Sequence, residues 1–168
     1  MTSPVSRHSA GIVRAASEAD LDHLAVVWHD AWHEAHDGLV PDELSRVRTL
    51  ENCRERLTLM LPAVRVVGQE GRPLGFCQVK EDELYQLFVS RDARGGGVAG
   101  ALAHDAEEEI RRAGFLHAWL ACAIGNERAA RFYEKSGWRR TGVVINHAIT
   151  PTGPLPLEVW RYEKALPR

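Results

Sequence analysis

The stretch from Leu84 to Gly100 reads LYQLFVSRDARGGGVAG: an apolar run, three consecutive glycines, then the start of a helical pattern. A strand that passes through Gly95, Gly96 and Gly97 into a helix start at Val98, Ala99 and Gly100 leaves successive backbone N–H groups unpaired. The positive end of the helix dipole lies behind them, and glycine lets an anion approach the main chain closely. The chemistry suited to that cradle is pyrophosphate binding, hence a nucleotide-bearing cofactor. The segment lacks the G-x-x-x-x-G-K-[ST] of a triphosphate loop. It also follows antiparallel strands rather than opening a βαβ unit with G-x-G-x-x-G, which disfavours nucleoside triphosphates and NAD. A merely flexible turn is the alternative.

His29, His33 and His36 share one helix flank beside Trp28 and Trp32. H-x-x-x-H-x-x-H spacing can ligate a metal, yet no cysteine or paired acid accompanies it, and no metal site is assigned. Cys53, Cys77 and Cys122 are odd in number, widely spaced and without C-x-x-C, which excludes a zinc ribbon and a disulfide framework. Cys77 and Cys122 sit in apolar runs and read as buried, inert thiols in a reducing cytoplasm.

The rest of the 168 residues must position these groups. With 45% hydrophobic residues the chain can fill one core, and 21 basic against 23 acidic residues, well interleaved, give no basic field for nucleic acid or an anionic membrane. No apolar stretch approaches the length of a membrane span. Residues 1–10, MTSPVSRHSA, read as a flexible tail without a secretion signal, and 11–165 as a single domain.

Ile12 to Ala15 opens as a short strand, and Ser17 with Asp20 forms a capping pair before a helix ending near Gly38. Leu21, Leu24, Ala25, Trp28, Trp32 and Ala35 make its apolar stripe. Pro41 starts a second helix, expected to continue towards Leu59. Val64–Val67, Leu74–Lys80 and Leu84–Val89, separated by Gly71 and Asp82 turns, predict an antiparallel meander. A helix from Ala99 to Ala113, a buried strand from Phe115 to Ile124, and a helix capped by Asn126 and stopped at Gly137 follow. Strands around Thr141–Ile149 and Leu157–Tyr162 complete the order.

At this point the chain resembles the GNAT (Gcn5-related) N-acetyltransferase superfamily. Its Q/R-x-x-G-x-G/A signature is matched by Arg94, Gly97 and Ala99, and its second motif by NERAARFYEKSGW from Asn126 to Trp138. The resemblance implies an α/β (α+β) fold with a central, mostly antiparallel mixed sheet of about seven strands and four flanking helices. It implies acetyl-CoA as co-substrate, with the Gly95–Gly100 main chain on the pyrophosphate. Leu87, Phe88 and Val89 would pair with the pantetheine arm as a false strand, steadied by Asn126. An N–H of that strand would face the oxyanion of the tetrahedral intermediate.

Acetyl transfer needs an acid for the departing thiolate and a base for an amine of pKa about 10.4. By resemblance Tyr133 is the acid. For the base, Glu83, Tyr85 and His117 are the candidates. Relatives that acetylate protein N-termini often carry a carboxylate where Ala121 and Cys122 stand here, a departure that weakens that kind of acceptor. Trp32, His36 and Tyr85 are expected at the acceptor, a small primary amine such as an amino acid, polyamine or amine-bearing antibiotic. Asp30, Glu34, Asp37, Asp42 and Glu43 could form an acidic wall for a polycation. A protein lysine or N-terminal acceptor and a non-catalytic acetyl-CoA sensor are the alternatives. Homodimers are common in the family, and the sequence does not decide that point.

Overall fold

The short apolar runs at the centre of the chain become a three-strand meander in the computed structural model, which describes residues 11–168. Strand β1 (Val13–Ala15) leads through a capped 3-10 turn into α1 (Leu21–His36). Then come α2 (Asp42–Val47), α3 (Leu50–Met60), β2 (Val64–Gln69), β3 (Arg72–Lys80) and β4 (Glu83–Val89). The glycine loop enters α4 (Val98–Arg112), followed by β5 (His117–Ala123), α5 (Glu127–Lys135), β6 (Arg139–Thr150) and β7 (Gly153–Ala165).

The described residues form five α-helices, not four. The single helix expected from Pro41 to Leu59 breaks at Arg48, whose φ of −83° and ψ of 61° leave the helical region. Thr49 restarts it by accepting a hydrogen bond from the Asn52 N–H at 3.0 Å. A capping threonine satisfies donors that a continuous helix would satisfy from within, so the break costs little.

The seven strands lie in the order β1-β2-β3-β4-β5-β7-β6. Every neighbouring pair is antiparallel except β4 with β5. Helix α1 buries Leu24, Trp28 and Trp32 with Leu57 of α3 against Val64, Val66 and Phe76 on one face of the sheet. Helix α4 buries Leu102, Ala106 and Ile110 against Val67, Cys77, Leu120 and Tyr162 on the other. Each large side chain so removed from water contributes roughly 1.5–3 kcal/mol, so the two helices are held firmly on opposite sides of the strand that separates them. Ala113, expected on the buried face of α4, is exposed because the helix has ended one residue earlier. Phe115, Leu116 and Ile124, expected inside β5, lie at its exposed ends.

The chain entry is secured by Asp20, which is fully buried. Its carboxylate accepts from both Nη atoms of Arg14 at 2.8 and 2.9 Å, from the Ser17 N–H at 2.8 Å and from the Gly71 N–H at 2.9 Å. The Arg14 guanidinium, with those two amides, holds the Asp20 carboxyl well below the ordinary carboxylate range. The depressed folded value means its contribution is complete above the unfolded pKa of about 3.9 and is lost as pH falls further. Asp20→Ala should therefore destabilise the chain by about 3 kcal/mol at pH 7 in urea unfolding, with the difference shrinking towards pH 2.

Candidate active site

The site begins where two strands part. Strands β4 and β5 share one paired position, Glu83 with Trp119. That junction is pinned by the Trp119 N–H to the Asp82 carbonyl at 3.1 Å and by its indole Nε1 to the Asp82 carboxylate at 3.1 Å. Gln78 of β3 faces Gln86 and Val79 faces Leu84, so Tyr85 is the extra residue of a β-bulge. A bulge increases local twist and bends its strand. Beyond Glu83 the β4 edge diverges from β5, leaving Leu87, Phe88 and Val89 with main-chain groups that no β5 residue pairs.

A cavity of about 490 Å³ occupies one side of this wedge. It runs from the start of α4 past Leu87, Phe88 and Val89 to Asn126 and Tyr133. At its outer end Gly97 takes φ +82° as the residue before α4, and no side chain caps the helix. The first closed turn is Ala101 N–H to Gly97 O at 3.0 Å, so the amides of Val98, Ala99 and Gly100 precede the intrahelical ladder. A Cβ at Gly95 or Gly100 would meet nothing within 4 Å. No packing contact therefore requires glycine at position 100. Its missing side chain uncovers the helix end, as an anion cradle needs. Arg94, Gly95, Gly97, Val98, Ala99 and Gly100 all line this cavity; Gly96 lies in the loop but does not line it.

Across the mouth, Glu34 accepts two bonds from Arg94 at 2.8 and 2.9 Å and one from Arg128 at 3.0 Å. Hydrogen bonds from Arg94, then Arg128, pull the Glu34 carboxyl down to about 2. Arg94 is thus beside the cradle with its guanidinium engaged by Glu34, a partner on α1 that the motif did not reveal.

A second cavity of about 160 Å³ lies on the other side and shares Leu87, Phe88, Asn126, Ala129 and Tyr133 with the first. Trp32, His36, Glu83 and Tyr85 line it, as do Arg48, Arg56 and His147. The two chambers meet at Tyr133, on α5, whose start is held by Asn126 Oδ1 accepting from the Ala129 N–H at 3.3 Å. Tyr133 packs edge-on to Trp138 with ring centroids 6.2 Å apart and tilted to Tyr162 at 6.0 Å. Its hydroxyl has no hydrogen-bond partner among the described residues, and burial raises the phenol above its ordinary value. It is therefore a protonated donor at neutral pH.

Burial also pushes the Glu83 carboxyl up to about 7, with Lys80 opposing and Asp82 reinforcing the shift. A carboxylate poised there exchanges a proton readily near neutrality. His36 stacks on Trp32 with centroids 4.5 Å apart, and its Nδ1–H donates to the Trp32 carbonyl at 2.8 Å. Burial lowers its pKa, which keeps the ring neutral. His117 is exposed at the start of β5 and lines neither chamber.

The acidic wall is not formed. Asp30 pairs with His29 at 3.0 Å, Asp37 with His33 at 2.9 Å, and Glu34 with the two arginines, while Asp42 and Glu43 are exposed and outside both chambers. The three thiols are buried, and burial pushes Cys77 and Cys122 up to about 12, which makes them poor nucleophiles. Among the described residues no helix is long and apolar enough to cross a membrane.

Glu83 holds a folded value above its unfolded one of about 4.3, so its contribution to stability is complete below pH 4 and is lost as pH rises through about 7. Glu83→Gln should leave stability little changed at pH 4.5 and raise it by about 1–2 kcal/mol at pH 8, after allowance for solvent screening. Urea titrations at both pH values check this, and an equal difference at the two would contradict it.

Among known proteins, the model of the acetyltransferase (GNAT) family matches residues 25–138. An uncharacterized N-acetyltransferase of Mycobacterium tuberculosis is 31% identical over 93 residues, 52% of this chain and 60% of that protein, so the match spans less than two thirds of the relative. A GCN5-related N-acetyltransferase from Rhodopseudomonas palustris superposes with a TM-score of 0.72 at 20% identity, covering 94% of this chain and 97% of that one. The PaiA N-acetyltransferase of Thermoplasma acidophilum, solved in complex with coenzyme A, gives 0.63 at 17% identity, covering 91% and 97%. The splayed strands, the glycine loop at a helix start and the second motif around Asn126 and Tyr133 all fall in or beside the matched span, and the chain belongs to the acetyltransferase (GNAT) family.

Proposed function

We propose that the chain is an acetyl-CoA-dependent N-acetyltransferase acting on a small primary amine, with residues 11–165 working as one domain. The observation that carries this reading is the meeting of two chambers at Tyr133, one ending in a bare helix N-terminus and the other holding Glu83.

Acetyl-CoA supplies an activated acetyl thioester, and the larger chamber fits it. Gly95–Gly100 present main-chain N–H groups for the pyrophosphate, and the unpaired edge at Leu87, Phe88 and Val89 offers strand-like bonds to an extended amide-bearing arm. A β4 amide donates to the carbonyl oxygen as negative charge develops there. Asn126 closes the chamber beside Tyr133.

In the smaller chamber Glu83, directly or through one water, takes the proton that an alkylamine carries at neutral pH. Tyr133 passes its phenolic proton to the sulfur as the C–S bond breaks and regains one from the nitrogen as it becomes an amide, and burial keeps the phenol protonated until then. Trp32, His36 and Tyr85 line the chamber where the amine enters.

A thermal melt with acetyl-CoA, using ADP as control, tests the donor half. At a hundredfold excess over Kd the ligand adds about 2.7 kcal/mol, a rise on the order of 5 °C, and Gly100→Asp should abolish that rise without lowering the melting temperature of the free chain. No rise at millimolar acetyl-CoA would remove the reading. Tyr133→Phe should cut amine-dependent thiol release by about 10²–10⁴ while acetyl-CoA still stabilises the chain. The rate should climb through pH about 7 as Glu83 ionises, and that limb should vanish in Glu83→Gln. An unchanged rate in Tyr133→Phe would leave a sensor that binds without catalysis.

A further inference from the structure

The smaller chamber carries a charge that the transfer of an acetyl group does not need. Arg48 lines it and is only 3% exposed. Its Nη1 donates to the Asn52 side-chain oxygen at 3.2 Å, and its buried Nε has no partner. No carboxylate lies within ion-pair distance of it among the described residues. Arg56 also lines the chamber, 4.6 Å from the Trp28 ring centroid, and its like charge adds to burial in pushing Arg48 down to about 10.

An isolated guanidinium is costly to bury, and two near one another are more so. The geometry holds Arg48 in place regardless. Its carbonyl accepts from His33 Nε2–H at 2.6 Å, and its Cζ lies 5.9 Å from the Trp32 ring. A buried guanidinium that lines a cavity and has no carboxylate partner is an incomplete anion site.

The chamber also holds a group of the opposite sign. Glu83 lines it together with Arg48, and the two form no ion pair with each other. At about 160 Å³ the space suits a molecule of roughly a dozen heavy atoms or fewer, comparable to cavities that hold benzene.

We propose that the acceptor is a compact primary amine carrying its own anion, a carboxylate or phosphonate, with the amine at Glu83 and the anion on Arg48 assisted by Arg56. The proposal rests on the transferase reading and narrows it. A polyamine or a polycationic antibiotic brings only positive charge to Arg48 and Arg56. A protein lysine brings no anion into the chamber. A free amino acid brings both charges in one small body.

The test measures thiol release from acetyl-CoA with free amino acids, their carboxamides, the matching decarboxylated amines, aminoalkyl phosphonates and spermidine. Free acids or phosphonates should exceed the uncharged-end amines by at least about tenfold in kcat/KM, and the better of the two identifies the anion. Arg48→Gln should erase that preference by raising KM for the anionic acceptors about tenfold to a hundredfold. Stabilisation by acetyl-CoA and the carboxamide rate should stay as in the parent. Arg48→Lys should restore part of the preference. Because Arg48 is buried, the half-buried Arg56→Gln serves as the second variant, with a smaller rise in KM and a melting temperature near that of the parent. Carboxamides or spermidine used as well as the acids, or a folded Arg48→Gln that slows all acceptors equally, would overturn the proposal and leave the transferase reading intact. Stabilisation by acetyl-CoA without thiol release from any amine would overturn both.

Discussion

Everything at the site depends on β4 and β5 touching once and then separating. Parallel neighbours normally pair along their length, and the pairing of Glu83 with Trp119 shows that this one starts in register. The bulge at Tyr85 then bends β4 away, while β5 stays locked to β7 along its whole length from His117 to Ala123. The unpaired edge is costly, because orphaned main-chain groups must find partners. Here the edge opens into a cavity instead of closing against another strand, which makes a ligand with its own amides the natural partner.

The helices exploit that gap. Helix α4 begins at the outer end of the wedge with no side-chain cap, and α5 begins at the inner end with Asn126 capping it. One end is bare and one is satisfied, so the dipole of α4 is available to an incoming anion while α5 serves to hold Tyr133 still. Glu34 on α1 lies across the mouth and keeps Arg94 and Arg128 in defined positions. Along the same cleft, burial moves Glu83 and Tyr133 upward and Arg48 downward. Each of the three resists its charged form, a local loss of stability that the two cores on either face of the sheet offset.

The strands and most helices were legible because their signals are local. The meander from Val64 to Val89 shows short apolar runs with turns at Gly71 and Asp82, and α4 shows the spacing of Leu102, Ala106 and Ile110. The glycine loop and the Asn126 cap follow from residue type and position, while Tyr133 is singled out only by resemblance to the family's second motif. The break at Arg48 was missed because the residues from Asp42 to Met60 satisfy one helical pattern; Thr49 followed by Glu51 was the signal for a new start. Arg48 itself carried no signal, since an arginine in a polar helix normally lies in water.

By itself, the sequence determined the order of the elements and the glycine loop that enters a helix, because turn chemistry, capping and periodicity act over a few residues. Tertiary structure alone decided which acid lines the smaller chamber, since Glu34 and Asp37 are taken by partners and Glu83 is not. It also decided that Arg48 is buried beside Trp32, and that Glu34 reaches Arg94 sixty positions away. Those outcomes depend on which surfaces pack together across the sheet, and the energy of a charge is set by the dielectric and the partners that packing supplies.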